Sequence, residues 1–396
     1  MLKSNIKFVS LGDGIEVNTT HVVFNEGEEV DISTKQRELL CVGNSTKHNM
    51  KIQITAKDTD THKFVFTSNQ HLMVLRKGEA CEFKLFVEVL CTTKVESDFM
   101  LVANSYVSER ELYKPISFSI VSKLSSKLDP DELKENTKLG EGSFGIVYKG
   151  IFRKEIVAIK KMREVSDTEN AIIEFEKEVS MLDKFRSEFI VHFYGAVFVP
   201  NKVCMITEFA PFGNLQDLMK HYQSEEIDVT LRVKFMLDAA KGISYLHTNG
   251  ILHRDIKPDN FLVFSLDLNQ RVNAKLTDFG SARNVNVMMT NMTFTKGIGT
   301  PKYMGPEILN KNKYKKSADI YSFAITLLEV LTWVEPFPKE IYKFGWSIAD
   351  LISIGKRPST ILKLEKKYQS IIENAWKQEP KERSDINTII ACLEHL

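Results

Sequence analysis

The sequence predicts two domains: an all-β sandwich, followed by a larger domain of the α+β class. In the first third of the chain, stretches such as MKIQITA and EFKLFVEV alternate apolar and polar residues, as half-buried strands do. Further along, strand-like segments give way to longer ones with apolar residues three or four positions apart, the pattern of helices. These patterns place the sandwich in residues 1–121, a Ser- and Lys-rich linker in 122–130 and the second domain in 131–396.

The predicted strands of the first domain are short and separated by turn-forming residues. HKFVFTS is a third alternating stretch, and VGNSTKHNM and RKGEACE supply the residues that turns favour. Several short strands at nearly regular spacing favour a sandwich. LLCVGNSTKHNMKIQIT and LRKGEACEFKLFVEV resemble the immunoglobulin-like sandwiches of the major sperm protein type. We expect this sandwich to bind a partner, which is unknown, in a regulatory role, or to pack on its neighbour. No catalytic constellation is visible in it.

Composition argues against several classes of function. A net charge of +1 over 396 residues does not suit a nucleic-acid binder. The longest apolar stretch, FAITLLEVLTWV, is too short to span a bilayer and carries Glu329, so it predicts a buried helix. The first residues lack an apolar stretch long enough for a signal peptide, and the five cysteines form no CxxC pair. We therefore expect a cytoplasmic protein with reduced thiols and no membrane span.

The stretch LGEGSFGIVYKG places Gly140, Gly142 and Gly145 in a GxGxxG pattern. Such glycines let backbone N–H groups approach phosphate oxygens. A dinucleotide site would need a helix directly after the glycines, whereas IVYKG and EIVAIK are rich in β-branched residues. We expect a strand–turn–strand unit, which either covers phosphates or is an ordinary glycine hairpin.

The stretch VAIK follows on a predicted strand. Ala158 and Lys160 share one face of that strand, so an adenine could pack on the alanine while the ammonium meets phosphates. A solvent-exposed lysine is the alternative. In the helical stretch IIEFEKEVSMLDKF, Glu174 and Glu178 share a side of the helix and offer the lysine a carboxylate partner.

Two polar loops lie between apolar segments. HRDIKPDN, residues 253–260, contains Asp255 and Asn260, and LTDFGSAR contains Asp278. Asn and Asp side chains supply the oxygen ligands that Mg²⁺ prefers. Each loop alone is either a solvated turn or a place where chemistry occurs.

Taken in order, GxGxxGxV, VAIK, HRDxKxxN, DFG and GPE (close to APE) resemble the protein-kinase signature set over residues 131–396. FEKEVSMLDKF, YMGPEIL and PFPKEIYKFGWSIADLISIGKRP are most similar to the tyrosine-kinase-like group. The resemblance implies a bilobal protein-kinase fold, with an N-lobe in 131–210 and a C-lobe in 211–396. It implies transfer of the ATP γ-phosphoryl group to protein substrates in intracellular signalling, with Mg²⁺ as the metal and Mn²⁺ as a possible replacement.

The resemblance also implies individual roles. Asp255 would accept the proton of the substrate hydroxyl, and Lys160 would contact the α- and β-phosphates and pair with Glu178. Asn260 and Asp278 would hold Mg²⁺. The implied ATP-binding residues, with Thr207 as gatekeeper and Glu208 to Ala210 as the hinge for adenine, are Leu139, Gly140, Gly142, Gly145, Val147, Ala158, Lys160, Thr207, Glu208, Ala210 and Leu262.

Supporting roles follow from the same resemblance. Asp319 would brace the catalytic loop from its helix, and Glu307 and Arg383 would form an ion pair at the end of the activation segment. His253 is expected only to pack against Phe279.

Lys257 helps to predict which side-chain hydroxyl accepts the phosphoryl group. A lysine two residues after the catalytic aspartate can reach the γ-phosphate beside a short hydroxyl, whereas tyrosine kinases usually have alanine there. We therefore expect a serine/threonine kinase in which Lys257 is catalytic. The alternatives are a dual-specificity or tyrosine kinase, and an inactive kinase-fold scaffold; the presence of Lys160, Asp255 and Asp278 argues against the scaffold.

The segment 278–307 carries the candidate phosphorylation sites Thr290, Thr293 and Thr295. In the family, an arginine at the position of Arg254 often pairs with a phosphate on this segment. Phosphorylation at Thr293 or Thr295 is therefore expected to raise activity. Alternatively, these threonines are merely solvated loop residues.

Overall fold

A computed structural model shows a chain that divides into two compact units. The first comprises Met1–Glu155, Ile159–Arg163 and Gly195–Ile206, and the second comprises Ile156–Ala158, Glu164–Tyr194 and Thr207–Leu396. The structure describes residues 5–56, 62–70, 72–105, 111–142, 145–162, 168–199, 202–280, 282–284, 301–310, 312–338 and 340–396.

The first unit begins with a sandwich of two five-stranded sheets, as predicted. In spatial order, the strands of one sheet are β1 (Val9–Gly12), β2 (Ile15–Val17), β4 (Lys35–Asn44), β8 (Ala80–Val89) and β6 (Phe64–Ser68). Those of the other are β3 (His21–Val23), β10 (Glu111–Val121), β9 (Lys94–Ser105), β5 (Met50–Ala56) and β7 (Met73–Leu75). Neighbouring strands are antiparallel except for β3 and β10. The stretch MKIQITA is β5 in full, and EFKLFVEV lies within β8.

Alternation along the strands explains why the two sheets pack. In β8, Phe83, Leu85 and Val87 are fully buried, while the residues between them are more exposed. They join a core that includes Phe99 of β9 and Phe118 of β10. Burial of this apolar surface on one face of each sheet stabilises the sandwich.

A further sheet follows the sandwich. Its strands in spatial order are β11 (Leu133–Gly142), β12 (Gly145–Phe152), β13 (Glu155–Met162), β15 (Cys204–Glu208) and β14 (Phe193–Val197). In β13, Val157 and Ile159 are fully buried, and Ala158 and Lys160 lie half-buried on the opposite face. The predicted alternation of VAIK is thus confirmed.

The segment predicted to be a linker is held on both sides within the first unit. The Thr92 N–H donates to the Lys127 carbonyl over 2.8 Å, which joins the segment to the sandwich. The Leu128 N–H donates to the Ala196 carbonyl over 2.8 Å, and the Ala196 N–H donates to the Ser126 carbonyl over 2.7 Å. We call residues 122–131 the clasp, because they bond to the sandwich and to β14.

Lys63 of the sandwich secures the clasp through two carboxylates. Its Nζ lies 2.8 Å from Asp129 Oδ2 and 2.6 Å from Asp131 Oδ2. Burial alone would lower the pKa of Lys63, but the two carboxylates raise it. Asp129 is buried and also accepts from Thr93 Oγ1 and from the Asp131 N–H. Since the two units do not follow the domain and lobe boundaries drawn from the sequence, those boundaries stay predictions.

The second unit is mainly helical. Its helices are α1 (Thr168–Leu182), α2 (Leu215–His221), α3 (Val229–Thr248), α4 (Pro306–Leu309), α5 (Lys316–Thr332), α6 (Gly345–Ser353), α7 (Lys366–Ala375) and α8 (Ile386–Glu394). Two strand pairs lie among them: β16 (Ile251–Leu252) with β19 (Arg283–Asn284), and β17 (Phe261–Val263) with β18 (Ala274–Leu276).

The predicted helical stretches form helices. FAITLLEVL lies in α5, whose residues from Ala318 to Leu331 are all buried. Helix α3 ends before Asn249 and Gly250, and Gly250 has a φ of 71°, as a helix stop requires. Helix α1 ends at Leu182, so Phe185 packs from the following turn. No helix in the described part of the chain is long and apolar enough to cross a bilayer.

Candidate active site

The loop HRDIKPDN connects β16 to β17 and folds around the carboxylate of Asp255. Lys257 Nζ lies 2.7 Å from Asp255 Oδ2. Asn260 Nδ2 donates to the same Oδ2 over 3.0 Å and to the Asp255 carbonyl over 2.6 Å. The structure therefore brings together the three residues of this loop that the sequence assigned to catalysis and metal binding.

Asn260 and Asp278 are brought together by the pairing of β17 with β18. Phe261 lies opposite Leu276, and the Thr277 N–H donates to the Asn260 carbonyl over 2.9 Å. Asp278 follows directly with a φ of 61°, a conformation that is uncommon for residues other than glycine and often marks functional sites.

These residues fit a hard divalent cation. The amide nitrogen of Asn260 makes both bonds to Asp255, which leaves its amide oxygen as the atom that can coordinate a metal. Asp278 adds a carboxylate. Mg²⁺ is usually held by one or two protein carboxylates together with substrate phosphates. The described residues contain no cluster of three or more His, Cys, Asp or Glu side chains suited to a metal, so the proposed ligands are one amide and one carboxylate.

His253 is fully buried and contacts Phe279, as expected, with ring centroids 5.3 Å apart. It also makes a hydrogen bond that the sequence did not reveal. Its Nε2 lies 2.9 Å from the Thr277 carbonyl, which can only accept, so Nε2 carries the proton. His253 therefore joins the HRDIKPDN loop to the residue before Asp278.

Asp319 on α5 braces the HRDIKPDN loop, as predicted. Its carboxylate is fully buried and accepts four hydrogen bonds, two on each oxygen. The donors are His247 Nε2 (2.9 Å), the His253 N–H (3.1 Å), the Arg254 N–H (2.9 Å) and the Tyr314 hydroxyl (2.9 Å). Burial opposes ionisation of Asp319, but the hydrogen bonds and nearby His247 hold its pKa below the ordinary value.

Arg254 has an uncommon backbone conformation beside this brace. Its φ is 72°, in the left-handed region, and its backbone N–H is fixed by Asp319. The guanidinium carbon lies 5.7 Å from the centroid of the Tyr314 ring. Tyr314 thus contacts Arg254 and Asp319 together, and no motif in the sequence pointed to it.

The predicted ion pair between Glu307 and Arg383 is present and bidentate. Both N–O distances are 2.7 Å, and the Arg383 side chain is fully buried. The guanidinium also donates to the carbonyls of Ser317 and Lys377. This pair ties α4 to the segment that precedes α8.

The glycine pattern lies in a hairpin, as predicted, with Gly142 opposite Gly145. The glycines have different surroundings. A Cβ on Gly140 would meet no atom within 4 Å, so its backbone is open to a ligand. At Gly145, whose φ is 152°, a Cβ would overlap the Lys161 carbonyl of β13. Gly145 is therefore required for strand packing, whatever it contributes to phosphate binding. Leu139 is 48% exposed, and Val147 is half-buried.

The predicted hinge residue Glu208 has its backbone N–H and its carboxylate engaged within the second unit. Its N–H donates to the His192 carbonyl over 3.0 Å. Its carboxylate lies 2.7 Å from Lys275 Nζ and accepts from the His192 N–H over 2.6 Å. Any adenine contact from Glu208 would therefore come from its carbonyl. No motif in the sequence pointed to Lys275.

Of the other predicted nucleotide contacts, Ala158, Thr207 and Leu262 are half-buried on β13, β15 and β17, and Ala210 is buried shortly after β15. Lys160 lies in the first unit and Glu178 in the second, so their pairing stays a prediction. The candidate phosphorylation sites Thr290, Thr293 and Thr295 lie outside the described residues.

An aspartate, lysine and asparagine in one loop, placed beside a second aspartate, are typical of enzymes that transfer phosphoryl groups from nucleotides. Residues 133–395 match the model of the protein kinase domain. That match covers 263 of the 396 residues. The chain therefore belongs to the protein kinase family.

Curated relatives extend this comparison. The probable serine/threonine-protein kinase gdt4 of Dictyostelium discoideum is 30% identical over 373 residues, which are 94% of this chain and 22% of that protein. That alignment is longer than the kinase domain, so it includes part of the sandwich region. The dual specificity protein kinase shkC of the same organism is 35% identical over 276 residues, 68% of this chain and 52% of that protein. A mimivirus putative serine/threonine-protein kinase/receptor, R831, is 33% identical over 268 residues, 66% of this chain and 16% of that protein. This chain thus spans between about a sixth and a half of the length of these relatives.

Proposed function

We propose that this chain transfers the γ-phosphoryl group of ATP to serine and threonine hydroxyls of proteins. The observation that carries the proposal is the arrangement in which Lys257 and Asn260 both donate to one oxygen of Asp255. The protein kinase match and the names of the relatives, most of them serine/threonine-protein kinases, support it.

Asp255 is the proposed acceptor of the substrate proton. In the described part of the chain, the hydrogen bonds to its carboxylate both go to Oδ2, which leaves Oδ1 for the incoming hydroxyl. These two donors hold the carboxylate in place for the transfer of a proton. The side chain is only partly exposed, so the hydroxyl would be oriented in a site with little water.

The metal is proposed to be held by the Asn260 amide oxygen and the Asp278 carboxylate. When bound, Mg²⁺, or Mn²⁺ in its place, would neutralise charge on the phosphates. The chain's contribution is to position both ligands through the backbone bond between Thr277 and Asn260.

The nucleotide is proposed to lie under the glycine hairpin. The open backbone at Gly140 supports a close approach of phosphates, and Lys160 would supply positive charge. Ala158, Thr207, Ala210 and Leu262 would enclose the adenine.

Lys257 supports a short acceptor side chain. Its ammonium is held beside Asp255, where it can also meet the transferred phosphate. A phenol carries its hydroxyl further from its backbone and would have to pass this lysine. Because shkC is named a dual specificity kinase, phosphotyrosine is the second product to look for.

The test is an assay of the purified chain with ATP, Mg²⁺ and a general acceptor protein, followed by phospho-amino-acid analysis. We expect phosphoserine and phosphothreonine. Phosphotyrosine as the main product would overturn the acceptor assignment. Absence of any transfer, with autophosphorylation also absent, would instead favour an inactive scaffold.

The sandwich is proposed to bind a partner that regulates or targets the kinase. The clasp, which bonds to the sandwich and to β14, supports a regulatory role. All five cysteines are unpaired, which supports a reducing compartment such as the cytoplasm.

A further inference from the structure

Three apolar side chains within six residues, before and at the start of α6, are exposed. Ile341, Phe344 and Trp346 are 71%, 57% and 65% exposed. The rings of Phe344 and Trp346 stack with centroids 5.5 Å apart and planes 11° apart. We call these three residues the α6 patch.

The α6 patch does not hold the helix in place. The inner face of α6 is supplied by Ile348 and Ile352, which are buried and four residues apart. The rings of Phe344 and Trp346 could therefore be lost without opening the core. Exposed clusters of apolar side chains usually mark interaction sites, and tryptophan is prominent among residues that dominate binding.

The α6 patch adjoins the end of the activation segment. The backbone of α6 lies close to Pro301, because a Cβ added to Gly345 would be 3.3 Å from Pro301 Cγ. Two residues further on, Tyr303 is anchored to α5: its hydroxyl donates to Glu329 over 2.7 Å, and its carbonyl accepts from Ser322 over 2.7 Å.

The same helix fixes the catalytic loop. Asp319 of α5 accepts from the backbone N–H groups of His253 and Arg254, directly before Asp255. The α6 patch and Asp255 are thus both held to α5, one through Pro301 and Tyr303 and the other through Asp319. A protein segment bound at the patch would lie at a fixed position relative to the catalytic carboxylate.

The exposed apolar area of the α6 patch indicates what kind of partner binds it. With about 200 Å² for each large side chain, exposure of 57–71% leaves about 400 Å² of apolar surface. A stable interface buries about 800 Å² on each partner, so a second copy of the chain would find too little here. A few apolar residues of a substrate, already bound by its acceptor hydroxyl, would suffice.

We infer that the α6 patch is a docking site for an apolar segment of the protein substrate, distant in sequence from the phosphorylated residue. The inference rests on the proposed function. The segment would add binding energy that is the same in the ground and transition states, so it would lower KM and leave kcat unchanged.

The test uses the full chain and a short Ser/Thr peptide that it phosphorylates. The peptide is compared with two versions that carry a Leu-Phe-Leu tail on a flexible Gly-Ser linker, one at each end. For at least one orientation we expect KM to fall about tenfold, which is about 1.4 kcal/mol. Trp346→Ala should remove this gain and leave the constants for the untailed peptide unchanged. Leu362→Ala, at a side chain that is 77% exposed elsewhere on the second unit, should keep the gain.

A second readout does not depend on catalysis. Of the three tryptophans, Trp376 is buried and Trp333 is half-buried, with its Nε1–H donating to the Tyr222 carbonyl. Quenching by acrylamide therefore reports mainly on Trp346. We expect the tailed peptide to protect the fluorescence and the untailed peptide to leave it unchanged.

Several results would overturn the inference: no protection and no fall in KM in either orientation, equal slowing of tailed and untailed peptides by Trp346→Ala, or a dimer in sedimentation that Trp346→Ala separates. If the chain phosphorylates no acceptor, the proposed function fails, and fluorescence protection still decides whether the patch binds apolar segments.

Discussion

Replacing Asp319 by asparagine is the sharpest structural perturbation that the active site offers. The substitution keeps the shape of the side chain but replaces one carboxylate oxygen by an amide NH₂. Each oxygen accepts two hydrogen bonds, so whichever way the amide turns, two buried donors face a third donor. An unsatisfied buried donor costs about 1–3 kcal/mol, so we expect a loss of about 2–6 kcal/mol in the free energy of unfolding.

The assay is urea unfolding of the full chain, monitored by its intrinsic fluorescence. Asp183→Asn is the matched control, because this carboxylate is exposed and its nitrogen partner on Arg186 lies 3.7 Å away. We expect the control to change the free energy of unfolding by less than about 0.5 kcal/mol. A loss below about 1 kcal/mol for Asp319→Asn would refute the reasoning that the four bonds stabilise the loop.

The contribution of Asp319 to the free energy of unfolding depends on pH in a definite direction. Because the pKa of Asp319 is lower in the folded chain, its contribution is fully present above the unfolded pKa of about 4 and is lost as the pH falls below it. As the pH falls below about 4, Asp319→Asn should therefore lose less of its free energy of unfolding than the wild type does. Equal acid sensitivity of Asp319→Asn and the wild type would contradict the view that ionised Asp319 stabilises the folded chain.

Three further substitutions test other parts of the structure by urea unfolding. Arg383→Ala should cost about 3–5 kcal/mol, because it leaves a carboxylate without its buried partner, and a loss under about 1 kcal/mol would contradict this. Lys63→Ala should cost about 1–2 kcal/mol by leaving the buried Asp129 without its cation, and an unchanged midpoint would mean that the clasp does not depend on it. Gly145→Ala should cost about 1–3 kcal/mol of the free energy of unfolding, because β13 leaves no room for a side chain there. Gly140→Ala should cost less than about 1 kcal/mol, because the space around it is open. Equal losses for the two variants would contradict the view that only Gly145 is required for strand packing.

Local patterns in the sequence predicted the elements that carry function. The alternation in MKIQITA located β5, and the β-branched residues after the glycines predicted a hairpin where a helix would have meant a dinucleotide site. The resemblance to protein kinases assigned Asp255 and Asn260 to one site, and they lie together because the loop between β16 and β17 is short. These predictions depend on neighbours within a few residues.

The contacts that the sequence did not reveal join residues that are far apart in the chain. Lys63 and Asp129 are 66 positions apart, and Glu208 and Lys275 are 67 positions apart. Exposed lysines and carboxylates are so common that no spacing rule identifies such partners. Tyr314 was missed for a different reason: its role depends on the buried position of Asp319, which only the packing of α5 shows.

The most direct measurement of the central claim compares wild type, Asp255→Asn and Asp183→Asn in kcat for a Ser/Thr peptide and in Kd for an ATP analogue. If Asp255 accepts the substrate proton, Asp255→Asn should lower kcat about 10²- to 10⁴-fold while the Kd for the analogue stays within about twofold. Asp183→Asn should match the wild type in both. A kcat within tenfold of the wild type for Asp255→Asn would contradict the claim that the HRDIKPDN loop carries the chemistry.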